Sequence, residues 1–344
     1  MIKIAVDAMG SDQAPAVEVE GAVQAAAQYG ISIVLVGQED RVHEILRSHD
    51  TSGLPIEVVH ASEVITMEES AATAARRKKD SSVRVAARLM RDSGVFGIVS
   101  AGNTGAVMAT VKMVLGTLPV VDRPALSTAL PTQKGKPAIL LDVGANVDCK
   151  PHHLEQFAIM GDVYSRAIFG IRRPRVGLLS IGEEDSKGNE LTKEAFKSLK
   201  RAPINFIGNV EGRDIFKGDV DVIVCDGFTG NVVLKALEGT IATVLGSLRE
   251  EISASRRAKL GGLLIRPAAR GLRDRLDPDT YGGAYLLGLR GLAVIAHGSS
   301  GRRAIANAIR LAARGVEHDV VGSLQERLEQ GVLESARSDP EPAR

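Results

Sequence analysis

The sequence predicts an α/β fold with a doubly wound, mostly parallel sheet. Two observations carry that expectation. Short apolar runs recur along the chain without polar alternation, as strands buried on both faces require. Segments with helical spacing separate them, and such alternation builds a parallel sheet with helices on both sides.

In chain order the strand candidates are "IKIAVD", "ISIVLVG", "IEVVHA", "FGIVSAG", "AILLDVG", "VGLLSIG", "INFIGNV", "VDVIVCDG" and "LAVIAHG". A helix is expected over 15–29, with Pro15 at its first position and Gly30 as its C-terminal cap. Residues 1–330 read as a single domain. The segment 249–280, rich in Arg, Gly and Pro, reads as an inserted basic helical hairpin, and 331–344 as a disordered polar tail.

The composition excludes several function classes. The 344 residues carry a formal net charge of +1, so no global field favours nucleic acid or membrane. Aromatics are 3% and Trp is absent, which leaves few platforms for stacking bases. Two cysteines, Cys149 and Cys225, are too few for a disulfide framework and suit a reducing cytoplasm. The opening apolar stretch is too short for a signal peptide, and no apolar run reaches the ~18 residues of a membrane span. A cytoplasmic protein is expected.

Four runs end alike: strand, glycine, small polar residues, helix. They are "VSAGNTGA" (99–106), "LSIGEEDSKGN" (179–189), "CDGFTGN" (225–231) and "AHGSSG" (296–301). Ligands of open α/β sheets bind beyond the carboxyl ends of strands, where helix N-termini offer free N–H groups. Together these loops make a candidate anion site; each alone is more often a turn and helix cap. The P-loop and the dinucleotide fingerprint G-x-G-x-x-G are absent, and no G-x-S-x-G elbow occurs. Metal ligation is not expected: His152 and His153 lack companions in sequence, and Asp142, Asp148 and Asp226 suit helix capping better than magnesium. Cys225 is a poor nucleophile beside Asp226, because an adjacent carboxylate disfavours the thiolate.

Taken together, "VDAMGSDQAP", "RRKKDSSV", "SAGNTGA", "RPALSTALPT", "LDVGANVDCKP", "IGEEDSKGNE", "CDGFTGNVVLK" and "GGAYLLGL" resemble the phosphate acyltransferase family of bacterial phospholipid synthesis (PlsX). The resemblance runs from residue 2 to about 330, with the motifs in the family's order. Ser11 and Tyr285 depart from it, where the family usually has glycine and often proline. The resemblance implies a fold similar to isopropylmalate dehydrogenases and phosphotransacetylases, and transfer of a long-chain acyl group from acyl carrier protein to inorganic phosphate. It also implies a homodimer, peripheral membrane association, and delivery of the acyl phosphate to a membrane glycerol-3-phosphate acyltransferase.

That chemistry agrees with the empty search for nucleophiles. Phosphate is itself nucleophilic, and a thioester releases a thiol of pKa near ~8.5. The enzyme needs an anion pocket and donors for the developing oxyanion, with no cofactor or metal. Lys187 and Asn231 are the expected catalytic residues, Lys187 turning into the cleft while Glu183, Glu184 and Asp185 turn away. Substrate binding is expected from Asp7, Gly10, Asn103, Thr104, Gly105, Gly182, Glu183, Gly188, Asp226, Gly227, Thr229, Gly230 and His297.

The stretch 255–276 carries seven Lys/Arg and one acid, Asp274. Helical spacing puts Arg266, Arg270 and Arg273 on one face, and Ile265, Ala268, Leu272 and Leu276 on the other. Gly261, Gly262 and Pro267 are expected to divide it into two short helices. Three uses are open: packing in a dimer core, lying in a membrane interface, or docking an acidic carrier protein on the arginines. Nucleic acid is not an expected partner, since the patch is small and lacks aromatics. Two other functions compete: a nicotinamide-dependent dehydrogenase of the same fold, which lacks its signatures here, and a non-catalytic membrane scaffold, which leaves the polar loops unexplained.

Overall fold

The computed structural model describes residues 1–276, 280 and 282–338. The elements in chain order are β1 (Lys3–Asp7), α1 (Ala16–Tyr29), β2 (Ser32–Gly37), α2 (Glu39–Leu46), β3 (Ile56–His60), α3 (Ala71–Arg77), α4 (Ser82–Asp92), β4 (Gly97–Ser100), α5 (Thr104–Leu115), β5 (Ala125–Leu130), β6 (Ala138–Leu141) and α6 (Pro151–Phe169). They continue with β7 (Val176–Leu179), α7 (Glu190–Leu199), β8 (Phe206–Val210), β9 (Val222–Val224), α8 (Gly227–Ala254), α9 (Arg256–Leu276), β10 (Ala284–Leu287), β11 (Leu292–Ile295), α10 (Arg302–Glu317) and α11 (Val320–Ser338). Every apolar run read as a strand is one. Gly30 caps α1 in the left-handed conformation, and Pro15 is its N-cap rather than its first residue.

All the strands form one sheet in the order β3-β2-β1-β4-β11-β10-β5-β6-β9-β7-β8. Successive residues of each strand face opposite sides, so the sheet has two apolar layers. Ile4, Val6, Ile33, Leu35, Leu141 and Val224 pack with α1, α6 and α10 on one face. Ala5, Val34, Ile98, Leu140 and Ile223 pack with α3, α4 and α5 on the other. Side chains buried on both faces of the inner strands explain why those runs lack polar alternation, while the edge strands β3 and β8 are partly exposed.

β10 and β5 were not legible as strands, and they decide the architecture. β11–β10, β10–β5 and β5–β6 pair antiparallel, while every other pairing is parallel. Three reversals in succession leave the β3-β2-β1-β4-β11 block running opposite to the β6-β9-β7-β8 block. Loops after β1, β4 and β11 therefore lie at one end of the sheet, and loops after β6, β7 and β9 at the other. The four polar loops do not share one edge, contrary to expectation.

The hairpin differs from its expected form. Its first arm is α8, which starts at Gly227 directly behind β9 and spans 28 residues. Its second arm, α9, is one continuous helix with Pro267 inside it, not two short ones. α9 meets α8 at Gly262, which sits so close to Ile252 that a Cβ would clash with it. The predicted apolar face stays open, with Ile265 and Leu272 exposed beside Leu260, Leu263 and Leu264, the last 77% accessible. Arg266 and Arg270 are exposed too. The side chains of Arg273 and Leu276, and residues 277–279 of the expected hairpin, lie outside the described residues. α8 is also long and apolar enough to cross a membrane by length and composition, which the run-by-run reading missed because Lys235 and Glu238 interrupt it. At the other end α11 continues helical to Ser338, through the first part of the expected tail; residues 339–344 lie outside the described residues.

Candidate functional site

Five loops, those after β1, β4, β11, β6 and β9, meet on one face of the sheet where the two opposed blocks join. The Asp7 carboxylate, buried behind β1, accepts from Ser100 Oγ at 2.6 Å and Met9 N at 3.2 Å, and burial holds its pKa above the usual range. Gly10 lies against the next loop: a Cβ there would come 2.7 Å from Gly102 N, so only glycine permits this approach. Asp12 N donates to Gly298 O at 2.9 Å, tying in the loop after β11. Asn103 caps α5 by accepting from Ala106 N at 3.1 Å, and its Nδ2 donates to Met67 O at 3.0 Å. This holds Thr104 and Gly105 in the first turn of α5, whose free N–H groups favour an anion.

From the opposite end comes the loop after β6, organised by Asp142. That buried carboxylate accepts from the backbone N–H groups of Leu126 (3.0 Å), Ala145 (3.0 Å) and Asn146 (2.7 Å), and from Asn146 Nδ2 (2.9 Å). Burial raises its pKa despite these donors. Asp226 caps α8, accepting from Thr229 N and Thr229 Oγ1, each at 2.8 Å. Gly227 N donates to Asn146 O at 2.7 Å, and Gly230 abuts the Asp142 carbonyl, which seats the first turn of α8 against the β6 loop. Asn231 then stands beside Gly144.

The result is a cleft of about 490 Å³ lined by Gly102, Thr104 and Gly105 of one block, Gly144 of the other, Asn231, Lys235 and Glu238 of α8, and His297 and Gly298 of the β11 loop. Of the predicted residues, Thr104, Gly105, Asn231 and His297 line it. Asp7, Gly10, Asn103, Asp226, Gly227, Thr229 and Gly230 hold the lining loops in place. His297 Nδ1 is 2.8 Å from Ser299 Oγ.

Lys187, Gly182, Glu183 and Gly188 do not line the cleft. Their loop leaves the far end of β7 and is mostly exposed. Two of its acids pair elsewhere: Glu183 with Arg213 (3.5 Å) and Asp185 with Lys200 (2.6 Å). The Lys187 ammonium has no ion pair among the described residues. The two glycines make room for the loop itself: a Cβ on Gly182 would press on Lys187 and Glu184, and one on Gly188 on Thr192.

Lys235 is the cation the sequence reading overlooked. Its Nζ contacts Glu238 at 2.8 Å, and it follows Asn231 by one helical turn, a spacing that puts both on the same face. Asp122, His152 and His153 cluster elsewhere, with His152 Nε2 2.8 Å from Asp122. His153 Nδ1 accepts from Lys150 N at 3.0 Å, which leaves the proton on its Nε2 and removes that atom as a metal ligand.

The family described as "Fatty acid synthesis protein" matches residues 2–322. The chain belongs to this fatty acid synthesis protein family. It is 56% identical over 311 residues to a phosphate acyltransferase of Acidobacterium capsulatum, covering 90% of this chain and 92% of that one. To a phosphate acyltransferase of Geobacter sulfurreducens it is 53% identical, covering 95% and 94%. Membership makes it an acyltransferase. Among solved structures, a phosphotransacetylase from Staphylococcus aureus superimposes with a TM-score of 0.56 at 16% identity, covering 91% of this chain and 93% of that one. A 4-hydroxythreonine-4-phosphate dehydrogenase from Klebsiella pneumoniae gives 0.51 at 15% identity, covering 91% and 98%. Both share the fold of this fatty acid synthesis family member.

Proposed function

We propose that the protein transfers a long-chain acyl group from acyl carrier protein to inorganic phosphate, by direct attack of phosphate on the thioester. The observation that carries this reading is the cleft, where the first turn of α5 faces Asn231 and Lys235 across a glycine-lined floor. A phosphate oxygen forms the new bond to the thioester carbon, the C–S bond breaks, and the thiolate leaves to take a proton from water. N–H groups of the α5 turn and the Lys235 charge hold phosphate; the Asn231 amide donates to the oxyanion. Lys187 is the second proposed cation, and its use requires the β7 loop to close on the cleft or to reach that of a second copy.

An acyl-enzyme route has little support. Cys225 is 2% exposed, and burial with the nearby Asp142 and Asp226 charges drives its pKa far above a useful thiolate. Cys149 is pushed up to about 11, chiefly by burial. The open apolar and cationic surfaces of α8 and α9 support a homodimer that sits on the cytoplasmic membrane surface and passes acyl phosphate to a membrane glycerol-3-phosphate acyltransferase. The reaction is tested by incubating the protein with palmitoyl-carrier protein and phosphate. Thiol release that depends on phosphate supports the reading; release at the same rate without phosphate refutes it.

A further inference from the structure

A second cavity lies beside the cleft. It has a volume of about 250 Å³ and lies between β5 and the middle of α8. Thr128, Leu234 and Glu238 line both spaces, so the two adjoin. Beyond them the walls are Leu130, Pro131 and Phe216 on one side, Leu237, Ile241 and Ala242 on the other. Among the described residues the polar side chains along it are Thr128 and Glu238, both beside the cleft. Leu234, Leu237 and Ile241 recur at helical spacing, which presents one apolar stripe of α8 to the groove. A surface this poor in hydrogen-bonding groups holds water badly and an alkyl chain well.

We infer that this groove is the acyl-chain subsite of the cleft: the thioester carbonyl sits beside Asn231 and the unbranched alkyl chain runs along α8 toward the hairpin. This rests on the acyl-transfer reading. From Asn231 to Ala242 the helix advances about 16 Å, a length that a long chain fills and a four-carbon chain does not. The direction matters as well. The same helix goes on to Val244 and Leu248, both exposed on the arm that pairs with α9. The product's chain would therefore point at the apolar tip of the molecule. Each methylene buried is worth roughly fourfold in affinity, so the groove sets chain-length preference.

The test uses the full-length protein and two variants, Ala242→Trp, which narrows the groove from an exposed position, and Leu237→Ser, which makes its wall polar. Phosphate-dependent thiol release is measured with palmitoyl- and butyryl-carrier protein. The palmitoyl-to-butyryl ratio of kcat/KM should fall at least tenfold in both variants; an unchanged ratio overturns the assignment. Independently of turnover, displacement of cis-parinaric acid by palmitate reports binding: a Kd for the probe at least tenfold weaker in Ala242→Trp supports the groove, and an unchanged one overturns it. If wild type releases no thiol with either substrate while the probe result holds, the reaction is wrong and the alkyl site stands. If Leu237→Ser turns a dimer into a monomer and lowers both substrates alike, a second copy occupies the groove and the inference fails.

Discussion

Gly230, in the first turn of α8, rests directly on the carbonyl oxygen of Asp142, with no room for a Cβ between them. The contact locks the β6 loop and the start of α8 together on one side of the cleft. It sets where Asn231 stands relative to Gly144, and no side-chain rotation can relieve a clash with backbone.

The variant Gly230→Ala should therefore shift the start of α8 or strain the β6 loop. A loss of stability of a few kcal/mol is expected, on the scale of overpacking a rigid site, together with a fall in turnover. Urea denaturation read alongside kcat checks it; wild-type values of both would mean that the loop yields freely.

Replacing the cleft's polar groups should separate chemistry from stability. Asn231→Ala should lower kcat by about 10²-fold, the scale of one transition-state donor, with little change in Tm. Lys235→Ala and Lys187→Ala ask which cation serves phosphate. A raised KM for phosphate in Lys235→Ala alone assigns it to the α8 residue; a fall of about 10²-fold in kcat for Lys187→Ala brings the β7 loop into the reaction. Near-wild-type turnover in all three would remove this cleft from catalysis.

Glu18 gives the stability a pH dependence. It is fully buried on α1, accepts from Ser11 N at 2.8 Å through one oxygen, and among the described residues has no hydrogen-bond partner on the other. Burial, set against the Ser11 bonds and reinforced by the Asp7 charge, raises its pKa from 4.5 to about 7. The folded state thus binds the Glu18 proton more tightly than the unfolded chain does. Its contribution is intact below pH 4.5 and is lost as pH rises to about 7, at up to roughly 1.4 kcal/mol per pH unit. Glu18→Gln should remove that slope and be the more stable form at pH 8, as urea titrations at pH 5 and 8 would show. Parallel stability curves would rule this out.

The hairpin surface predicts vesicle binding. Leu263 and Leu264 are exposed on α9, so Leu263→Glu/Leu264→Glu should cut sedimentation with phosphatidylglycerol vesicles at least tenfold. Tm should move little, because surface substitutions usually stay within about 0.5 kcal/mol. Loss of a dimer instead would assign these leucines to a subunit contact.

The strands flanked by helices were legible because burial on both faces leaves an apolar run that needs no further context. β5 and β10 were not. "ALSTAL" carries Ser127 and Thr128 mid-strand, and the buried Ser127 hydroxyl donates to Tyr285 O at 3.2 Å on the neighbouring strand. Such a partner is invisible along the chain. Since those two strands reverse the sheet, the meeting of the loops could not be read correctly either. Glycines and caps marked the loops themselves, Thr104, Gly105, Asn231 and His297 among them. Lys235 lies inside α8, one turn beyond the glycine-rich loop, where no loop residue marks it. Lys187 drew attention by its glycines, which serve the loop's own packing.

The sheet order also dictates when the molecule can fold. β4 borders β11, and α1 is packed on α10 so tightly that Gly21 has no space for a Cβ beside Ile305. The first hundred residues therefore leave the ribosome with a bare sheet edge and an uncovered helix face. Both wait for partners made some two hundred residues later. Contacts so distant in sequence slow folding and expose nascent chains to aggregation. A chain truncated before Arg302 would keep Asn231, Lys235 and His297, yet is expected to be recovered as aggregate rather than as a smaller enzyme.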